Sequence, residues 1–289
     1  MVRTLKVSER RVCRALGQPR TTQRYAPREK SWEAQLVARM LELVRLHPRF
    51  GYRRVWALLR REGWRVNRKR IYRLWRREGL KVPKKPRKKR HLGHSANGCA
   101  RLRPEHIDHV WAWDFIFDRT ENGRTLKWLS IVDEYTRECL ALVVARSLRA
   151  EDVIDILAEL FHLRGVPRRL RSDNGPEFIA SALRAWLERT GAKTAYIAPG
   201  APWENGYAES FHARLRDELL DVEVFGNLAE AKHMAERWQL DYNHRRPHSA
   251  LGYQTPAEFA SACRKSRSAT LRETCDTPGK EQPETLILS

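Results

Sequence analysis

Residues 110–118 read VWAWDFIFD, and the reading of that stretch decides the fold class. Trp111, Trp113, Phe115 and Phe117 alternate with Ala112, Asp114, Ile116 and Asp118, the period-two pattern of a β-strand with two unlike faces. Downstream, Lys127–Val132 and Cys139–Val144 read as two more strands, separated by the turn-like Asp133–Glu138. Val153, Ile154, Leu157, Leu160 and Phe161 recur at helical spacing and stop before Gly165-Val166-Pro167. A strand Arg169–Arg171, a helix over about 179–190, a strand Thr194–Ile197 and a long helix from near Asn205 complete the series. Three hairpin-like strands, then helix, strand, helix, strand and helix, predict an α/β fold: a mixed five-stranded sheet with flanking helices.

Upstream, the pattern is all-helical. Leu36, Met40, Leu43 and Val44 form one apolar face after Ser31, a candidate N-cap, and His47-Pro48 ends that helix. Gly51 opens a second helix carrying Tyr52, Val55, Trp56 and Leu59, closed near Gly63. Asn67 caps a third, with Ile71, Leu74 and Trp75 inward and Gly79 at its end. The last two have helix-turn-helix spacing. The chain therefore divides into a basic segment 1–30 with one short helix over Ser8–Leu16, a helix-turn-helix domain 31–80, a basic linker 81–103, an α/β domain 104–262 ending in a helix, and a polar tail 263–289 expected to be disordered.

Charge is segregated along the chain. The formal net charge is +21, yet the first 100 residues hold 30 Lys and Arg against 6 Asp and Glu, while the rest hold 26 against 29. A basic first third implies a polyanionic partner, and nucleic acid fits best because its phosphates release counterions to Lys and Arg. The third helix starts Arg68-Lys69-Arg70, with Arg73 a turn later, putting cations where the helix dipole prefers acids. DNA contact explains that placement; a solvated face is the plainer alternative. Within KVPKKPRKKR (81–90), Lys84, Lys85, Arg87, Lys88, Lys89 and Arg90 read as a phosphate-tracking strap rather than a localisation signal. The five cysteines (13, 99, 139, 263, 275) are odd in number and form no CxxC pair, which argues against a disulfide framework or a cysteine-rich zinc site. No apolar run suits a membrane span or a secretory signal, so a cytoplasmic protein is expected.

Three carboxylates stand out. Asp114 lies mid-strand among apolar residues, where a lone buried charge costs several kcal/mol unless it is paired, protonated or metal-bound. Asp173 follows a strand at an Asn-Gly-Pro turn, and Glu209 sits in the first turns of the long helix. Each has a structural alternative: an arginine pair for Asp114, an Asx turn for Asp173, a helix N-terminus for Glu209. Together they suit hard-cation chemistry, in which two ions about 3.5–4 Å apart serve phosphoryl transfer. Asp118, on the Asp114 face, and Asp133, ending the next strand, are rivals.

The spacing of Asp173 and Glu209, with 35 residues between them, comes with RSDNGPEF around the first and ENGYAESFHARLRDELL around the second. With GYRRVWALLRREGWRVNRKRIYRLWRREGL (51–80) and YNHRRPHSALGYQTP (242–256), the chain resembles the second-reading-frame product of insertion sequence family three, an integrase-core transposase, over roughly residues 5–260. The resemblance implies a ribonuclease-H-like core, shared with retroviral integrases, and an Asp114-Asp173-Glu209 triad holding two Mg²⁺ ions, with Mn²⁺ as a substitute. It implies strand cleavage by water followed by attack of the freed 3′-OH on a second phosphodiester. Asn174 and Gly175 would shape the turn aiming Asp173. His212 and Arg216 share the Glu209 face, and Arg216 stands where the family usually carries lysine, so both are candidate DNA contacts. Pairing with Glu209 or Glu218 is the alternative for Arg216. Arg245, Arg246 and His248 suit phosphate binding and docking of the C-terminal segment equally.

The partners implied are DNA, both element ends and target, a homo-oligomer in a synaptic complex, and an upstream-frame helix-turn-helix protein with a zipper. The implied setting is the bacterial cytoplasm at the nucleoid. Two rival readings differ in class: a DNA-binding regulator or incomplete subunit that needs the upstream-frame partner, and a purely hydrolytic ribonuclease-H-type nuclease.

Overall fold

The computed structural model describes residues 7–25, 31–82, 103–172, 181–196 and 206–275. Near the N-terminus, α1 (Glu9–Ala15) lies within the span read as one short helix, and a single turn, α2 (Arg20–Gln23), follows it. The three-helix pattern then appears as α3 (Ser31–Leu46), α4 (Tyr52–Arg61) and α5 (Arg68–Arg77). Leu36, Met40, Val55, Leu59, Ile71 and Leu74 meet in one core, each almost wholly buried. Local chemistry sets the boundaries. Asn67 caps α5, its side chain accepting from the Lys69 amide at 2.8 Å. Gly63 and Gly79, at φ +91° and +68°, follow the ends of α4 and α5 in a conformation that L side chains resist.

Five strands, β1 (Val110–Arg119), β2 (Thr125–Asp133), β3 (Cys139–Ala145), β4 (Arg169–Ser172) and β5 (Lys193–Tyr196), form one sheet in the order β3-β2-β1-β4-β5. β1–β2 and β2–β3 are antiparallel, whereas β1–β4 and β4–β5 are parallel, giving the mixed five-stranded sheet that the sequence predicts. The period of two sorts β1 between two cores. Trp111 and Trp113 pack with Leu157, Leu160, Leu183 and Leu187 of α6 (Ala150–Arg164) and α7 (Ser181–Thr190). On the other face, Ile116 packs with Phe211 and Leu215 of α8 (Gly206–Leu215) and with Ala231, Ala235 and Tyr242 of α9 (Leu228–His244). Burying Leu- or Phe-sized side chains contributes about 1.5–3 kcal/mol each, so this division holds the register.

Two expectations need correction. The long helix from near Asn205 is not uniform: α8 gives way to a π-helical turn, Arg216–Leu220. The tail expected to be disordered from residue 263 is helical through Cys275, because α10 spans Pro256–Cys275. A capping box starts α10: the Glu258 amide donates to Thr255 Oγ1 at 3.2 Å and Glu258 Oε2 accepts from the Thr255 amide at 2.9 Å. Ala260 is fully buried and the Phe259 ring packs tilted against Tyr135, so the first turns of α10 have a surface to hold. Among the described residues no helix is long and apolar enough to cross a membrane.

Candidate active site

Asp114 projects from the middle of β1 on the side covered by α8, in register with Ser130 of β2. Its carboxylate is partly buried, 18% exposed, and Oδ1 accepts from the Phe115 amide at 2.7 Å. His212 of α8 stands over the same spot. Its Nε2 lies 2.8 Å from Ser130 Oγ and its Nδ1 lies 3.6 Å from Asp114 Oδ2. Burial, with the nearby Arg216 charge, depresses the His212 imidazole to about 4, so it is neutral at physiological pH. Glu209 lies three residues before His212, one helical turn away on the same face, and is exposed. His212 thus reports where that helix face points: toward Asp114.

Asp173, with Asn174 and Gly175, lies outside the described residues, as does the strap Lys84, Lys85, Arg87, Lys88, Lys89 and Arg90. Ser172, immediately before Asp173, ends β4, the parallel neighbour of β1. That strand end is clamped by a buried ion pair in which Arg171 Nη1 donates to Glu134 Oε1 and Oε2 at 2.8 and 2.9 Å.

The rivals separate by environment. Asp133 is fully buried, and it accepts from the amides of Asp108 at 2.9 Å, Tyr135 at 2.7 Å and Thr136 at 3.4 Å. Desolvation pushes its carboxyl up to about 6. With its lone pairs engaged by the β2–β3 turn and by Asp108 ahead of β1, Asp133 is a structural acid. Asp118 lies near the far end of β1, its Oδ1 accepting from the Arg119 amide at 2.8 Å.

In the helix-turn-helix domain, Arg68, Lys69 and Arg73 are exposed on α5, and Arg70 lies over the Trp32 ring with 4.8 Å to its centroid. None of these four makes an ion pair with a described acidic residue, although Arg39, Arg61 and Arg77 nearby all do. Lys69, Arg70 and Arg73 of these, with Arg65, line a depression together with Trp32, Val66 and Asn67.

Comparison with known proteins joins these features. An HTH-like domain model matches residues 31–90, and two integrase core domain models match 104–202 and 190–256. The insertion element IS476 uncharacterized 39.2 kDa protein of Xanthomonas euvesicatoria is 40% identical over 93% of this chain and 77% of its own length. The transposase InsD for insertion element IS2 of Escherichia coli is 31% identical over 75% of this chain and 77% of its own. The chain belongs to the integrase-core transposases of insertion elements. Among solved structures, the HTLV-2 integrase catalytic core domain in complex with magnesium aligns at 17% identity and TM-score 0.43, covering 55% of this chain and 99% of that one.

For this transposase the structure decides several open alternatives. Arg216 is exposed at the start of the π-turn, and Glu218 is claimed by other arginines. Arg246, 3% exposed, donates from Nε and Nη2 to Glu218 at 2.7 and 2.8 Å, so of its two readings docking is the observed one. Burial would raise the Glu218 carboxyl, yet its bonds from Arg246 and the charges of Arg246 and Arg54 hold it below the ordinary value. His212, read from sequence as a DNA contact, is turned inward against Ser130 and Asp114. Sequence reasoning missed Ser130. Its signal was present, since Ser130 is the lone hydroxyl in the apolar run LKWLSIV (126–132), directly across from Asp114.

Proposed function

We propose that this transposase cleaves and joins DNA strands using Asp114, Asp173 and Glu209 as a carboxylate triad that holds two Mg²⁺ ions, with Mn²⁺ as a substitute. The supporting observation is His212: one turn from Glu209, it sits against Asp114, placing the helix of the third carboxylate over the strand of the first. The donor set is chemically suited to the group. Carboxylate oxygens match a hard dication, while the His212 nitrogen nearest the strand is already engaged by Ser130. When bound, the ions polarise a phosphodiester and lower the pKa of the attacking oxygen.

The chain's own contribution is placement. β1 fixes Asp114 and α8 carries Glu209, so two of the three proposed ligands stand on regular elements, and β4 ends at Ser172, immediately before the third. Arg68, Lys69, Arg70 and Arg73, with the strap 84–90 and Arg216, supply phosphate contacts to element ends and target. Joining two ends needs at least two active sites held together, so the working form is a homo-oligomeric synaptic complex at the bacterial nucleoid.

The test is a divalent-metal-dependent strand-transfer assay on element-end oligonucleotides. Asp114→Asn should abolish cleavage and joining while DNA retention persists; joining that survives the substitution rejects the triad. Running the assay with and without an upstream-frame product separates a self-sufficient enzyme from a subunit that needs that partner.

A further inference from the structure

The segment Tyr242–Pro256 has no role in the triad, yet it is built with unusual care. Glu218, in the π-turn that continues the Glu209 helix, has a side chain only 8% exposed. From one side Arg246 grips it with two bonds, at 2.7 and 2.8 Å. From the other, Arg54 of α4 in the helix-turn-helix domain donates at 2.9 Å, its guanidinium also lying 5.0 Å from the Phe50 ring centre. A second set of contacts flanks the first. Trp56 meets Tyr253 edge-on, with ring centres 5.9 Å apart and planes at 87°. Arg61 donates to the Tyr253 carbonyl at 3.2 Å and pairs with Glu258. Tyr253 holds φ +69°, a left-handed conformation unusual for an aromatic residue, and the carbonyl it presents is the one Arg61 takes.

We propose that Tyr242–Pro256 is a docking cradle for the helix-turn-helix domain of the same chain, and that Arg54 is a positioning residue locking that domain to the helix of Glu209. The physical case rests on desolvated charge. A carboxylate shared by two guanidinium groups of different domains holds both only while it is ionised and dry, and loss of Glu218 leaves two arginines facing each other. The second contact set adds an aromatic edge and a charge-assisted bond to a backbone oxygen. The consequence rests on the proposed strand-transfer reading: DNA held on α5 is delivered to the carboxylates at one set angle.

Amide hydrogen exchange on the full-length protein reads the junction without any catalysis. Arg54→Met should lose protection in the π-turn 216–220 and in 245–254 while the sheet stays protected. In single-turnover cleavage of an element-end duplex, the same variant should bind within about twofold of wild type but cut at least tenfold more slowly, since α5 is untouched. Arg61→Met should loosen the 253–258 flank in the same exchange measurement, an arm that survives if Arg54→Met fails to fold. Unchanged protection in Arg54→Met, or in Arg61→Met, overturns the cradle. If wild type cuts no DNA yet exchange behaves as expected, the strand-transfer reading fails and the cradle stands.

Discussion

His212 Nδ1 lies 3.6 Å from Asp114 Oδ2, close enough to orient a carboxylate but longer than a hydrogen bond. Ser130 Oγ is 2.8 Å from His212 Nε2 and donates to the Asp114 carbonyl at 3.3 Å. A ring proton on Nδ1 faces the carboxylate and lets Nε2 accept from the Ser130 hydroxyl in place of that carbonyl, whereas a proton on Nε2 sets the Nδ1 lone pair against a negative charge. Asparagine reproduces a donor at the Nδ1 position, whereas glutamine reproduces Nε2. His212→Asn should hold Mn²⁺ affinity, read by electron paramagnetic resonance, within about threefold, and His212→Gln should lose about 10–100-fold. Equal losses in both would show that the ring acts only as packing.

The two rival acids should fail differently. Asp133→Ala strips three backbone amides, two in the β2–β3 turn and one at Asp108 before β1, of a fully buried acceptor, so a loss of about 2–4 kcal/mol is expected by thermal or urea unfolding. Asp118→Asn leaves its own amide contact replaceable and should keep both stability and metal binding near wild type. A collapse of metal binding in Asp118→Asn would move the first ligand along β1.

DNA binding should weaken steeply with salt. Each phosphate contact contributes a slope of about −0.9 in log K against log salt, so glutamine at Arg68, Lys69 or Arg73 should each flatten the line by about one unit. Sequence preference need not follow, because phosphate contacts carry none. Slopes unchanged in all three variants would remove the N-terminal turn of α5 from the interface.

His248 gives a pH signature of the cradle. Burial, reinforced by the charges of Arg246, Arg137, Arg54 and Arg214, depresses its imidazole to about 4. The unfolded chain takes a proton near 6.5 while the folded one stays neutral to about 4, so unfolding is favoured as pH falls through that window. Its stabilising contribution is complete above 6.5 and declines by at most about 1.4 kcal/mol per unit below it. His212 acts in the same direction, whereas Asp133, raised to about 6, opposes both by protonating first in the fold. The difference between wild type and His248→Gln isolates one residue: the variant should show a flatter decline from pH 6.5 to 4. Parallel curves would mean that the imidazole is charged in the fold.

What the sequence by itself determined is whatever a local period or a local bond encodes. Alternation in 110–118 placed Asp114 on one face of a strand, helical spacing placed the core residues of α3, α4 and α5, and Asn67 marked the start of α5. The capping box Thr255-Pro256-Ala257-Glu258 was equally local, and the polar composition beyond it hid a helix. Tertiary structure alone decided what long-range charge pairing decides. Glu218 could have met Arg216 on its own helix, but it meets Arg246, 28 residues on, and Arg54, 164 residues back. Asp133 is a turn acid, and His212 faces Ser130 across 82 residues of chain. The reason is physical. Periodicity fixes which way a side chain points, but desolvation and the choice among charged partners depend on which other elements arrive at the same place.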